Sequence, residues 1–176
     1  MFATYHPPPA FSFTVMVAGV GTPLQLSSLA DTSFQEASGL EARIDTEALA
    51  EGGENRFVHQ LPGVTKSPNL VLRRGYVTRP SFLSEWAAQT IGSALSQRIL
   101  PQTLVVMLLG SERLPLVAWR LDRAWPVRWV TGAFDATKNE VLTEVLEFRY
   151  GAVTRMPLTE AAAMIPVVDR LIDMNT

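Results

Sequence analysis

The segment from Glu51 to Gly75 reads E-G-G-E-N-R-F-V-H-Q-L-P-G-V-T-K-S-P-N-L-V-L-R-R-G. Two short apolar-containing runs, Arg56 to Leu61 and Asn69 to Arg73, lie between Gly52-Gly53 and Gly75, separated by Pro62-Gly63 and Ser67-Pro68. Glycine tolerates positive φ, while proline fixes φ and removes a hydrogen-bond donor, so residues at this spacing would break a helix and instead punctuate strands. The expected structure is turn, strand, loop, strand, turn: a β-hairpin spanning Glu51 to Gly75. Its second limb, Leu70 to Arg74, is expected to be ordinary sheet leading into a helix.

Working outward, the same period of two recurs on the N-terminal side. Phe11, Phe13, Val15 and Val17 alternate with Ser12, Thr14, Met16 and Ala18, the pattern of a half-buried strand. Phe34 to Ser38 is a short strand candidate ending at Gly39. Glu41 to Leu49 places Glu41, Arg43, Asp45 and Glu47 on a wet face and Ala42, Ile44, Thr46 and Ala48 on a dry one. Before all of these, Met1 to Ala10 carries Pro7-Pro8-Pro9 and reads as an extended arm.

On the C-terminal side the period changes once. Ser81 to Ser96 follows Pro80, offers Ser81 as N-cap, and spaces Phe82, Trp86 and Ile91 at helical intervals. Strands then resume at Thr103 to Leu109, Leu116 to Leu121, Val127 to Thr131 and Glu140 to Tyr150, with turn signals at Gly110 to Pro115 and Asp135 to Asn139. About seven or eight short strands and one body helix predict a mainly β fold, an antiparallel β-barrel or sandwich with one packed α-helix. Leu158 to Met174 predicts a C-terminal helical extension kinked at Pro166. The expected division is an arm (1–10), one β domain (11–155) and the extension (156–176).

Composition narrows the function. The chain has 176 residues, enough for one domain with a real core. Charged residues make up 18% against a usual value of about 25%, and apolar residues 47%, so much of the surface is uncharged, as it would be if buried against other copies. The net charge is −2 with no basic run, which removes the electrostatic footprint of a nucleic-acid binder. The absence of cysteine excludes disulfides, thiolate nucleophiles and most structural zinc sites, and is compatible with a cytoplasmic protein. No apolar stretch reaches membrane-spanning length and no signal-peptide pattern opens the chain, so it reads as soluble and unprocessed.

Candidate chemistry is sparse. His59 is the only histidine outside the arm, and with no nucleophile, acid or second ligand beside it the preferred reading is a polar residue on a wet or interfacial face. Glu140, Glu144, Glu147 and Asp135 resemble paired carboxylates, but strand alternation sends Glu147 opposite to the others, so the expectation is solvated or interface charge. Gly52-Gly53 lacks the frame of a phosphate cradle. Trp119, Trp125 and Trp129 in W-R-L-D-R-A-W-P-V-R-W could stack on sugars, but alternation favours core and interface positions, with Arg120, Asp122, Arg123 and Arg128 pairing nearby or meeting a neighbouring subunit. No catalytic, cofactor-binding or metal-binding residue is assigned.

The order of these features resembles the tail-tube protein family of contractile phage tails and extracellular contractile injection systems. The pieces that carry the resemblance are F-S-F-T-V-M-V-A-G, F-Q-E-A-S-G-L-E-A-R at 34 to 43, E-G-G-E-N at 51 to 55, L-P-G at 61 to 63 and N-L-V-L-R-R-G at 69 to 75. They continue with the helix bearing Trp86, V-A-W-R-L-D-R-A-W-P-V-R at 117 to 128 and N-E-V-L-T-E-V-L-E-F-R-Y-G at 139 to 151, covering about residues 10 to 155. The resemblance implies a non-enzymatic structural subunit without cofactors, forming hexameric rings that stack into a hollow tube. The implied partners are further copies of itself, a sheath protein, baseplate and spike proteins and protein cargo in the lumen, with no sequence-specific nucleic-acid binding. It also implies synthesis in the cytoplasm and assembly into a virion tail or phage tail-like particle. By the same resemblance Glu51, Gly52, Gly53, Glu54, Asn55, Arg56 and Phe57 are inter-ring contact candidates, while Arg120, Asp122, Arg123 and Arg128 are the subunit-interface candidates from the residue pattern itself. Family bodies end near the position of Arg155, so the continuation to Thr176 admits a tube-initiator or baseplate adaptor as the alternative role. A carbohydrate-binding β-sandwich is the distant alternative.

Overall fold

The computed structural model describes residues 12–18, 30–31, 34–50, 57–78, 81–93, 96–110, 113–134, 137, 140–157 and 159–161. The strands are β1 (Phe13–Ala18), β2 (Ala30–Asp31), β3 (Glu36–Ser38), β4 (Arg43–Leu49), β5 (His59–Lys66) and β6 (Leu70–Gly75), then β7 (Gln102–Leu109), β8 (Pro115–Thr131), β9 (Thr143–Arg149) and β10 (Ala152–Met156). One helix, α1 (Phe82–Gly92), lies between β6 and β7. The described pairings are all antiparallel.

Two sheets share one long strand. The first half of β8 pairs with β7 on one side and β10 on the other, and β7 continues to β1 and β2. The second half of β8 pairs with β9, which continues to β6 and β3. The predicted strands at 116–121 and 127–131 are therefore one strand that crosses between sheets. The crossing is made at Arg123, whose φ of 54° lies in the left-handed region, opposite Gly151. A Cβ on Gly151 would stand 2.9 Å from the Arg123 guanidinium, so a larger residue there would have to displace the end of that side chain. Pro126, at a second register irregularity, costs the sheet little because this half of β8 is an edge with a bulge.

Alternation on these strands builds two apolar layers. Val15, Val17, Leu70, Leu72, Leu104, Val106, Leu121, Leu146 and Phe148 face inward and meet Leu83, Trp86 and Ala87 of α1. Trp86 stacks on Phe148 at 5.4 Å between ring centroids, worth about 0.5–1.5 kcal/mol beyond the area it buries. The alternate residues of β7, Val105, Met107 and Leu109, form a second cluster on the other face with Met16, Ala118, Met156 and Ala161. That double burial accounts for the nearly unbroken apolar run of β7. The chain enters a helical turn at Thr159–Ala161, where Ala161 N–H bonds the Pro157 carbonyl. The rest of the expected C-terminal helix, like the N-terminal arm, lies outside the described residues.

The helix starts as expected, with the Ser81 hydroxyl accepting from Ser84 N–H at 3.4 Å and Glu85 in the first turn. It ends at Gly92, short of about Ser96, with the Ser93 amide still bonded to the Gln89 carbonyl and the Ser93 hydroxyl to that of Thr90.

Glu144 is a correction. Expected in solvent or at an interface, it is 2% exposed and faces Arg74, which is 0% exposed. Arg74 Nε donates to Glu144 Oε2 at 2.7 Å and Arg74 Nη2 donates to Ser84 Oγ at 2.6 Å. Ser84 Oγ and Trp129 Nε1 both donate to Glu144 Oε1 at 2.9 Å, and the guanidinium lies 4.7 Å from the Phe34 ring centroid. Alternation phases Glu144 correctly, but the face that carries it also carries Leu146 and Phe148, and in β9 that face is buried.

Removing one partner of such a pair strands a buried charge, whereas removing both does not. Glu144→Leu should lower the free energy of unfolding by about 3–5 kcal/mol in urea titrations, and Arg74→Met with Glu144→Leu should recover most of that loss. A single variant as stable as the parent would contradict the assignment.

Candidate assembly surfaces

The opening segment does not fold as one hairpin. β5 pairs with β4, and β6 joins β9 and β3, so the hairpin runs from Arg43 to Lys66 and Leu70 to Gly75 belongs to the body. Pro62-Gly63 lies inside β5 instead of ending it, because β5 takes an extra residue there against β4: Thr46 pairs with Pro62 but Ile44 with Thr65. The part of the expectation that holds is Leu70 to Arg74 as ordinary sheet.

β4 and β5 form a two-stranded sheet of their own, and every residue of the pair is exposed except half-buried Asp45. The dry face expected on Glu41 to Leu49 is therefore uncovered, with Ile44 59% exposed. Leu49, Phe57, Val58, Leu61 and Val64 are also open to solvent. A lone two-stranded ribbon is marginal in water, so its base has to be held. Tyr150, itself buried, points its hydroxyl at the Gly39 carbonyl (2.6 Å) and the Glu41 carbonyl (3.0 Å). Arg149 Nη1 donates to the Ser67 carbonyl on the returning limb. Gly39, at φ 88°, crosses so close to Asn69 that a Cβ would stand 1.9 Å from the Asn69 oxygen. At the same base, Lys66 Nζ meets Asp45 Oδ2 at 2.5 Å, with Arg43 at 3.5 Å. The Lys66 hydrogen bond, with the Lys66 and Arg43 charges, holds the Asp45 carboxyl below the usual carboxylate range.

Of the inter-ring candidates, Glu51, Gly52, Gly53, Glu54, Asn55 and Arg56 lie outside the described residues. Phe57 is 52% exposed and meets His59 edge-on at 4.9 Å. The β8 candidates are spread along that strand. Arg120 pairs with Asp122 at 2.8 Å, Arg128 with Glu147 at 2.5 Å, and Arg123 lies over Gly151. Trp119 and Trp125 pack on the core, and the Trp129 indole is committed to Glu144, so the three rings do not make one open stacking face. The clamp residues Gly39, Asn69 and Tyr150 were not anticipated. Their signal is weak in the sequence, a glycine directly before a charged strand and a tyrosine directly before Gly151. Among the described residues no cluster of three His, Cys, Asp or Glu could hold a metal, and no helix is long and apolar enough to cross a membrane.

A projecting hairpin on a two-sheet body with one packed helix is the arrangement against which known proteins can be compared. Residues 9–154 match the family described as T4-like virus tail tube protein gp19. The chain belongs to this family. It is a structural protein of the tail-tube and contractile injection system class, and the resemblance read from the sequence holds. No curated protein matches the sequence at a significant level. Among solved structures, a chain in the six-fold symmetrised cryo-EM structure of the anti-feeding prophage baseplate is 28% identical, with a TM-score of 0.73. The alignment covers 88% of this chain and 99% of that one. A chain of the anti-feeding prophage tube terminating cap is 24% identical, with a TM-score of 0.72 and coverage of 89% and 95%. A chain of the PVC sheath-tube complex, an extracellular contractile injection system in its extended state, is 23% identical, with a TM-score of 0.70 and coverage of 86% and 92%. The last two likenesses show the shared tail-tube fold.

Two tests bear on the clamp. Tyr150→Phe should cost about 0.5–1.5 kcal/mol and Gly39→Val more, and both should speed tryptic cleavage of the hairpin at Arg43 and Lys66 while the body stays intact. Unchanged cleavage would show that the clamp does not hold the hairpin. Because the folded pKa of Asp45 is depressed, its contribution is present above the ordinary carboxylate pKa and lost as pH falls through the folded value. Amide exchange at Ile44 and Thr65 should therefore accelerate, relative to β6, only below the usual carboxylate range.

Proposed function

We propose that this chain is a subunit of the inner tube of a contractile injection system or phage-like tail, closing into six-fold rings that stack into a hollow tube propelled by sheath contraction. The observation that carries this reading is the β4–β5 hairpin, a solvent-exposed ribbon with open apolar side chains, clamped at its base and, among the described residues, paired with no other strand. A head-to-tail contact that closes by rotation gives a ring, and an axial one that does not close gives a filament. The hairpin supplies the axial arm, with Glu51 to Phe57 as its contact residues on the adjacent ring. Arg120, Asp122, Arg123 and Arg128, on the strand that crosses between sheets, supply contacts within the ring. The low charge content fits a surface spent on such contacts.

The partners that follow are further copies of the chain, a sheath protein outside, baseplate and spike proteins at the end, and protein cargo in the lumen. No sequence-specific nucleic-acid contact is part of the proposal, nor is any catalysis. Synthesis is assigned to the cytoplasm, and the working site to the assembled particle. A second reading, a tube-initiator or baseplate adaptor, is favoured by the 28% identity to a chain of a baseplate structure. The extension beyond Met156 supports it too.

Copy number separates the two. In purified particles, many rings per particle support the repeating subunit and one or two rings support the adaptor. Purified protein at high concentration should form rings and rods visible by negative-stain electron microscopy. Gly52→Val with Gly53→Val should shorten or abolish the rods while leaving circular dichroism unchanged. Rods of normal length from that variant would remove the hairpin tip from the axial contact, and a strictly monomeric parent chain, absent from the tube in assembled particles, would remove the tube reading.

A further inference from the structure

The first sheet has two apolar faces. One meets α1 and the second sheet through Leu83, Trp86 and Leu70. The other carries Met16, Val105, Met107, Leu109, Ala118 and Met156, each between 0 and 6% exposed. Thr14, paired with Met107 on this face, is fully buried and its hydroxyl has no hydrogen-bond partner among the described residues, so the face is sealed from water there. Side chains of one sheet stand out from it and shield one another only sideways, so burial this complete takes a second layer. Among the described residues, the cluster's one member outside the sheet is Ala161, buried on the turn that follows Met156. The burial is also graded along the strands. Past the Met156–Ala118 pair the same face continues as Thr154, Arg120 and Ala152, and all three are exposed.

We infer that the second layer is the C-terminal extension of the same chain, Leu158 to Ile172, laid as a helix across the outer face of β10, β8, β7 and β1. Three observations select it over the N-terminal arm and the segment between β1 and β2. The chain enters the layer here: Thr159 and Glu160 are exposed and Ala161 is buried, so the first helical turn is already amphipathic. Continued at helical spacing, that turn gives Leu158, Ala161, Ile165, Val168 and Ile172, an unbroken apolar stripe at intervals of 3, 4, 3 and 4. Glu160, Asp169, Arg170 and Asp173 fall outside the stripe, as does Pro166. The arm, with Pro7-Pro8-Pro9, and the 19–29 segment, with Gly19, Gly21 and Pro23, offer no such stripe. Reach agrees as well. The run from Ala161 to Ile172 makes about 16 Å of helix, and β10 to β1, across β8 and β7, is about 14 Å of strand spacing. The inference stands whether the chain is a repeating tube subunit or an adaptor. It makes the extension part of the subunit's own fold, a built-in cover, rather than an arm reaching for a second protein.

The chain has no cysteine, so an introduced one reports cleanly. Met107→Cys, in the full chain at a dilution where it does not assemble, should react slowly with N-ethylmaleimide. Adding Ile165→Glu with Val168→Glu should speed that reaction at least tenfold, while Val167→Glu, on the side of the helix away from the stripe, should leave it within about twofold. Leu72→Cys, buried between the sheets, should stay slow in each of these backgrounds, which shows the body intact. Amide exchange needs no variant: in the parent chain the amides between Ala163 and Arg170 should exchange at least tenfold more slowly than in an unstructured peptide of the same sequence. A Met107→Cys thiol that stays protected in the Ile165→Glu, Val168→Glu chain, or exchange at unstructured rates between Ala163 and Arg170, would overturn the cover. Protection of Met107→Cys that is lost on dilution would assign the layer to a second copy and overturn it too. If the double variant also exposes Leu72→Cys, the exchange measurement on the parent chain decides alone.

Discussion

Arg74 and Glu144 meet inside the protein, and the other elements around the second sheet are positioned by that meeting. The pair joins β6 to β9 by charge, and Ser84 ties in the first turn of α1. Trp129 ties in β8, and Phe34 lies beneath the guanidinium. Desolvating two charges is expensive, and the cost is offset only if the remaining hydrogen-bond sites are filled with good geometry. The consequence here is alignment. If α1 slid by one turn, Ser84 would leave the site and two hydrogen bonds to it would be lost, so the network disfavours alternative seatings of the helix that the apolar contacts of Leu83, Trp86 and Ala87 alone would tolerate.

The hairpin and the core stand in contrast. The core positions of β1, β7 and β9 are sealed, whereas Ile44, Leu49, Leu61 and Val64 on the hairpin remain open to water. An apolar ribbon in that state is an aggregation hazard for a monomer and an interface for a subunit. The clamp from Tyr150 to Gly39 and Glu41 shows that the fold restrains the base of the ribbon.

Much of this was legible in the sequence wherever a pattern was local. Alternation located β1 and β4, an apolar run located β7, the polar turn from Asp135 to Asn139 announced β9, the Ser81 cap located α1, and the turn residues from Gly110 to Pro115 located the β7–β8 turn, in which Arg113 takes a positive φ. What was misread depends on partners distant in sequence. Pro62-Gly63 looks like a strand end until β4 is seen to absorb it as a bulge, and Trp125-Pro126 looks like a break until β9 runs alongside it. The buried role of Glu144 follows from Arg74, seventy positions earlier, which periodicity cannot reveal. The clamp depends on a carbonyl at Gly39 and a hydroxyl at Tyr150, a pairing with no signature in residue type beyond the glycine itself.

The crossing strand has a mechanical side. β8 runs through both sheets without a chain break, and β9 and β10 follow it from Glu144 to Met156 as the opposite rail. In an antiparallel ribbon the hydrogen bonds lie across the strand direction. A pull along β8 therefore loads many of them together in shear, while a pull across it would open them one after another. The Arg123–Gly151 bend passes that tension from one sheet to the other through covalent backbone rather than through side-chain packing. Along this axis the subunit should behave as a stiff strut, with its compliance confined to the hairpin, where two strands alone carry the strain.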